Sequence, residues 1–403
     1  MSVLNILEEK LAETKKQGRF REFLNLERGV QDKPWATSHG HLGERRLNVW
    51  CSNDYLAMSH HPKVLLATTE AVNRVGLGTC GARSISGTSV YHSELETLLA
   101  SAYGKESALL FTTGFGANDA TLSTLCDAIP DLIVFSDELN HASMIYGIRY
   151  SKAEKKIFRH NDVAHLAELL QAADPARPKL IAFESLYSMD GDFAPLAQIV
   201  ALAEQYQALT YLDEIHSAGV YGERGLGYAE QLGLLDKITI IQGGFGKSYG
   251  AAGGYIVAPR SVVEAVRSWA PAFVFSTSSP APVVAAALAS FKYNLEHDTQ
   301  RKHLLAIVDH LKTGLRAAGI PLVSADSHIL PLRVGDPHRN KHISKVLLDE
   351  HDIYVQPVNA PTVPAGSERL RVTPTSAHSH ADVETFLAAL GRVWAANDLR
   401  RAG

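Results

Sequence analysis

The sequence predicts an α/β protein, a mostly parallel sheet covered on both faces by helices, with a smaller α+β domain toward the C-terminal end. Three observations carry that prediction. From about residue 105, short β-rich apolar runs alternate with helical patterns, the rhythm of parallel strands joined by helical crossovers. After residue 280 the alternation gives way to a long helical stretch and then short strands. The chain has 403 residues, 46% hydrophobic and 20% charged, which supports one large core plus a second and excludes a disordered tail or a minimal binding module.

Taken in order, the segment MSVLNILEEKLAETKKQGR carries apolar residues at 3, 4, 7 and 11 among acids and bases, the spacing of an amphipathic helix rather than of a secretion signal. Residues 1–45 form this helix and an arm, 46–285 a large domain, and 286–403 a small one. In the large domain the strand runs are ALLF at 108–111, LIVF at 132–135, KLIAFES at 179–185, LTYLDE at 209–214, ITIIQ at 238–242 and GGYIVA at 253–258. A helical stretch from Pro282 ends at Gly319 and Pro321. Short strands follow at SHILPLRV and IYVQPV, and a last helix runs from about His380 to Trp394.

Lys and Arg total 39 against 43 for Asp and Glu, a formal charge of −4 without long like-charge blocks. No footprint for nucleic acid or a membrane surface results, and no apolar run reaches a membrane-spanning length. Cys51, Cys80 and Cys126 are odd in number and widely spaced, so neither a disulfide framework nor a zinc ribbon is expected and a reducing, cytoplasmic home is the default. The 18 histidines show no metal-ligand spacing, so no metal is expected. His60, His61, His378 and His380 read as exposed loop residues.

In parallel sheets ligands bind beyond the carboxyl ends of the strands, so the residues following each run matter most. After ITIIQ comes GGFGKSYG. A Walker A loop fails here because its first glycine falls on Ile241. Lys247 set among glycines instead suits Schiff-base chemistry, although on residue type alone a solvated loop lysine is the simpler reading. Asp213 ends LTYLD, with His216 three residues on. That pair suits a pyridoxal ring, whose nitrogen needs an acid, or equally a nucleotide-binding acid or a helix cap. Gly114 and Gly116 open a helix after ALLF, a phosphate site or a plain tight turn; Asp119 stands where a dinucleotide fingerprint needs its third glycine. His141, after LIVF, either stacks on a planar cofactor or caps a helix. Arg371, in ERLRVTP, fits a carboxylate or a surface ion pair.

Together, the stretches GRFREF, NDYLAM, RSISGTSVYH, NDATLSTL, SDELNHASMI, ESLYSMDGD, YLDEIHSAGVYG, GKSYG, FVFSTS, IYVQPVNAPTVP and ERLRVTP resemble the α-oxoamine synthase family of fold-type I pyridoxal phosphate enzymes, its aminolevulinate-forming members above all. The matches span roughly residues 2 to 395. The resemblance implies a seven-stranded sheet and pyridoxal 5'-phosphate as cofactor. It assigns Lys247 to the covalent link and to base catalysis at the amino acid's α-carbon, Asp213 to the ring nitrogen, His216 to the ring hydroxyl and His141 to stacking on the ring. Gly114 and Phe115, with the partner's Ser276 and Thr277, would hold the phosphate, which makes a homodimer with a shared site obligatory. Asn53, Ser188 and Arg371 would orient the amino acid's carboxylate, Ser188 also touching the cofactor. Arg21, Ser136 and Thr362 would receive a succinyl carboxylate, a pairing that Arg21 favours over a purely alkyl chain. Ala82, Ser84 and Ile85 would line the substrate pocket. Lys155 would meet coenzyme A phosphates or be an ordinary exposed lysine.

The implied activity is decarboxylative condensation of glycine with succinyl-coenzyme A to 5-aminolevulinate. Ala82 and Ser84 replace the family's threonine and asparagine and shrink the pocket wall, which opens alanine or serine, or another thioester on coenzyme A or an acyl carrier protein, as alternatives. Gly244 replaces a hydroxyl residue that touches the cofactor phosphate. The TTGFGAN loop is closer to the 8-amino-7-oxononanoate synthase and 2-amino-3-ketobutyrate ligase branches. A transaminase is disfavoured by Arg21, Ser136 and Thr362, and a non-catalytic regulator by the retention of Lys247, Asp213, His216 and Arg371.

Overall fold

The computed structural model describes residues 2–40 and 43–397. The chain divides into two compact units, one of Asp54–Tyr187 with Phe193–Arg301, the other of the segment up to Asn53, Ser188–Asp192 and the chain from Lys302 onward. This differs from a division at 45 and 285. The helix Ala281–Glu296 stays with the larger unit because Val284, Ala287, Leu288 and Phe291 are buried in that unit's core. The segment up to Asn53 shares a core with the C-terminal segments through the fully buried Trp50.

The larger unit is built on seven strands: β1 (Ser107–Phe111), β2 (Ile133–Asp137), β3 (Glu154–Phe158), β4 (Lys179–Glu184), β5 (Leu209–Asp213), β6 (Ile240–Gly244) and β7 (Gly254–Ala258). Their order is β1-β7-β6-β5-β4-β2-β3. Strands β3, β2, β4, β5 and β6 pair in parallel, whereas β7 runs antiparallel to both β6 and β1. Successive side chains enter opposite cores: Ile133, Phe135, Ile181, Phe183, Leu212 and Ile241 on one face, Val134, Leu180, Ala182, Tyr211 and Ile240 on the other. Burial on both faces is why these strands read as unbroken apolar runs. Strand β3, EKKIF, is the exception; it lies at the sheet's edge, carries charge, and shows no apolar run to read.

In the smaller unit, Leu330–Arg333 and Pro357–Val358 flank Arg369–Val372 in an antiparallel sheet. A hairpin of Trp35–Gly40 and Gly43–Val49 forms another sheet, to which Ile353–Tyr354 adds in parallel. The IYVQPV run is thus split between two sheets. The predicted stretch to Gly319 is likewise two helices, Ala281–Glu296 and Thr299–Ala317, because the backbone at His297 turns extended. The helix Val3–Lys16 forms as expected, but none of its residues is buried. His378 was expected to be exposed and is fully buried: its ring lies 4.1 Å from that of Trp50, and its Nδ1 accepts from the Thr375 N–H. Among the described residues no helix is long and apolar enough to cross a membrane.

Candidate active site

The parallel strands place their carboxyl ends along one edge of the larger unit's sheet. Two helices start there, α1 (Gly114–Ala128) after β1 and α2 (Ala142–Arg149) after β2. Thr113 caps α1 by accepting the Gly116 N–H at 2.9 Å. Thus Gly114 and Phe115, two of the expected cofactor residues, occupy its first turn, with amides oriented as an anion site requires.

Asp213 is the last residue of β5 and is almost fully buried. One carboxylate oxygen accepts the Ile215 N–H at 2.8 Å and the other accepts Asn118 Nδ2 at 2.7 Å. Asn118, on α1, is itself fixed: it donates to Ser143 Oγ and accepts from the Tyr211 hydroxyl. His216 follows in the same turn, with Nδ1 2.9 Å from the Tyr55 hydroxyl and Nε2 2.7 Å from Lys247 Nζ. Lys247 lies three residues past β6. Tyr55, His216 and Lys247 therefore form one hydrogen-bonded line from a fully buried phenol to a half-buried amine.

His141 caps α2, its Nδ1 accepting the Ser143 N–H, and its ring meets Phe115 edge-on at 6.4 Å. One side of the residue stays open to solvent. Protein packed around the rest of the ring lowers its basicity; Asp213 opposes that shift and Lys247 adds to it. Glu184, at the end of β4, accepts the His141 N–H at 2.6 Å. Burial, reinforced by the neighbouring Asp213, pushes the Glu184 carboxyl well above the ordinary carboxylate range. Its bond to the His141 backbone fixes the entry to α2.

Ser276 and Thr277 line a small cavity with Arg83, Thr112 and Gly116 of the same chain. Ala82 forms an isolated bridge with Thr277, while Ser84 and Ile85 are exposed on the adjoining turn. Ser136, on β2, is buried and accepts Asn140 Nδ2 at 2.9 Å. Lys155, on β3, donates to the carbonyls of Arg149 and Ser151.

The smaller unit brings together the remaining expected residues in two sets. Arg371, on the strand Arg369–Val372 and 8% exposed, donates through Nε to the Ser188 carbonyl at 2.8 Å and through Nη1 to Asn53 Oδ1 at 3.0 Å. Arg21 donates to Thr362 Oγ1 at 2.7 Å. Asn118, Tyr55 and Glu184 were not singled out as functional, although they lie in NDATLSTL, NDYLAM and ESLYSMDGD. A side chain's role as a tether appears only once its partner is in place. No group of three or more His, Cys, Asp and Glu residues that could hold a metal ion occurs among the described residues.

A buried acid, an amine and a helix start on one sheet edge define an α/β enzyme with a site for an anionic carbonyl reagent. Residues 46–390 match the family model described as aminotransferase class I and II. The chain is 48% identical to 5-aminolevulinate synthase of Rhodobacter capsulatus, covering 96% of this chain and 95% of that protein. It is 49% identical to 5-aminolevulinate synthase of Rhizobium meliloti, covering 96% of both. Among solved structures it resembles serine palmitoyltransferase from Sphingomonas wittichii with a TM-score of 0.91, at 31% identity over 99% of each chain. The 8-amino-7-oxononanoate synthase from Francisella tularensis shares the fold, with a TM-score of 0.74 at 23% identity over 88% of this chain and 99% of that one. The chain belongs to the class I and II aminotransferase family, and within it to the α-oxoamine synthases. Its architecture is that of the fold-type I enzymes.

Proposed function

We propose that this protein condenses glycine with succinyl-coenzyme A, releasing carbon dioxide and coenzyme A, to give 5-aminolevulinate. The observation that carries this is identity of 48–49%, over nearly the whole of both chains, to curated 5-aminolevulinate synthases. The cofactor is pyridoxal 5'-phosphate. The residues fit it in chemistry: a primary amine for its aldehyde, a buried acid for its ring nitrogen and the amides of a 15-residue helix for its phosphate. When bound, it supplies an electron sink for the negative charge that develops at the amino acid's α-carbon.

Each residue then has a task. Lys247 joins the cofactor and takes the α-proton, and His216, hydrogen-bonded to its amine, orients it. Tyr55 fixes the His216 ring from the other side. Asp213 holds the cofactor's ring nitrogen, and Asn118 and the Ile215 amide hold Asp213. His141 covers the ring. Gly114 and Phe115 bind the phosphate, with Ser276 and Thr277 of the partner subunit. Arg371 binds the amino acid's carboxylate; Asn53 and Ser188 aim its guanidinium. Arg21, steadied by Thr362, receives the acyl chain's terminal carboxylate together with Ser136. Lys155 serves coenzyme A only after releasing the two carbonyls it now bonds.

The chain works in the cytoplasm as a homodimer. Exposed Trp269 and Phe275 beside Ser276 and Thr277 support pairing, since such apolar groups gain from coverage. One observation favours a second reading: small residues at Ala82 and Ser84 leave room for alanine or serine, or for a different thioester on coenzyme A or a carrier protein. Incubating the purified protein with glycine and succinyl-coenzyme A, with the product identified by mass, tests the choice. 5-Aminolevulinate is expected; no product from this pair, with turnover of another amino acid or thioester, would overturn it.

A further inference from the structure

At the start of α1 two glycines, Gly114 and Gly244, close around one methyl group. A Cβ on Gly114 would lie 2.5 Å from Ile215 Cδ1, and a Cβ on Gly244 would lie 2.7 Å from the same carbon and 2.9 Å from Ile215 Cγ1. On Gly254 it would meet the Thr113 carbonyl oxygen at 2.6 Å. None of these three glycines has a positive φ. Their backbone conformations are open to any residue, so occupied space, not chain geometry, excludes a side chain there. At 114 and 244 the occupant is Ile215. It has little freedom to retreat: its N–H is bonded to Asp213, which Asn118 holds from the other side.

We infer that Ile215 is a positioning residue for the cofactor's phosphate. Its δ-methyl group forms an apolar wall beside the first turn of α1, sets the width of the cradle and confines position 244 to glycine. This rests on the reading that α1 holds the phosphate of pyridoxal 5'-phosphate. A hydroxyl-bearing side chain at 244 and the full isoleucine at 215 compete for one volume, so the two positions act as a pair. A cradle residue changes affinity for the phosphorylated cofactor and leaves pyridoxal, which lacks the phosphate, unaffected. A residue that only stabilises the fold changes both alike.

The test titrates the apoprotein, prepared from the holoenzyme, with pyridoxal 5'-phosphate and with pyridoxal, read by absorbance. Gly244→Ser alone should weaken pyridoxal 5'-phosphate about tenfold, the cost of overpacking a closed site. Pyridoxal binding should stay within about twofold. Adding Ile215→Ala, which removes both carbons that crowd position 244, should bring phosphate-dependent affinity back to within about threefold of the original chain. Should Gly244→Ser fail to fold, Ile215→Val alone still reads the wall, with a loss of about threefold for pyridoxal 5'-phosphate only. The inference is overturned if Gly244→Ser binds pyridoxal 5'-phosphate as well as or better than the original, if the two substitutions simply add, or if both ligands weaken together. An original chain that takes up neither ligand overturns the functional reading itself, a result distinct from these.

Discussion

The two units each bury a charged side chain and hold it by different means. In the larger unit two hydrogen-bonded sets lie on one sheet edge: Tyr55, His216 and Lys247 in a line, and Asp213 held by an amide and a backbone N–H. In the smaller unit Arg371 is held by a backbone carbonyl and an amide oxygen, acceptors that do not titrate. The first arrangement couples groups that exchange protons. The second fixes the orientation of a permanently charged fork. The difference separates proton handling from recognition, and substitutions should divide along the same line.

The largest effect is expected at Lys247. Replacement by alanine should lower kcat on the order of 10⁴-fold, because no other group in the Tyr55–His216–Lys247 line offers a primary amine. Steady-state kinetics checks this. Asp213→Asn keeps the volume and removes the acid; kcat should drop about a thousandfold with the fold intact by circular dichroism. Arg371→Ala should instead raise KM for the amino acid about a hundredfold, with a smaller change in kcat, and Arg371→Lys should recover only part because a lysine lacks the planar fork. If Arg371→Ala lowered kcat and left KM untouched, the division between the units would be broken.

Asn118→Ala tests whether the network matters beyond its end groups. It strips one bond from Asp213, and the Tyr211 hydroxyl loses its acceptor. A loss of about 1–3 kcal/mol in stability by denaturant unfolding is expected, with a fall in kcat of about tenfold. The last effect leaves activity aside and concerns the smaller unit's core. Burial holds the His378 ring neutral down to about 4, against an ordinary value of 6.5. The unfolded chain therefore binds a proton that the folded chain refuses between these values. Stability contributed above pH 6.5 is lost as pH falls toward 4, by up to about 3 kcal/mol for this group. His378→Gln should flatten that part of the pH profile of thermal unfolding.

Most of this was legible because each link had a local signal. Apolar runs that alternate between two cores marked the strands, and the polar residues just past them marked Asp213, His216, Lys247 and His141 as candidates, whose roles only the family resemblance supplied. What escaped depended on contacts distant in sequence. Strand β3 looks charged because it forms the sheet's edge, and helix Ala281–Glu296 joins the larger unit through contacts no periodicity reveals. Asn118 is 95 residues from the carboxylate it holds, and Tyr55 is 161 residues from its histidine. His378 looked like a loop histidine because its burial depends on Trp50 and Phe386, drawn from separate segments.

The account depends on an amine at position 247 that engages an aldehyde cofactor under the control of the acid at 213. Reduction of the freshly purified holoenzyme with borohydride, followed by peptide mass mapping, tests this directly. A pyridoxyl group on Lys247, absent after Lys247→Ala, is the predicted result. A colourless protein that carries no adduct on that residue, although purified with ample pyridoxal phosphate, would contradict it.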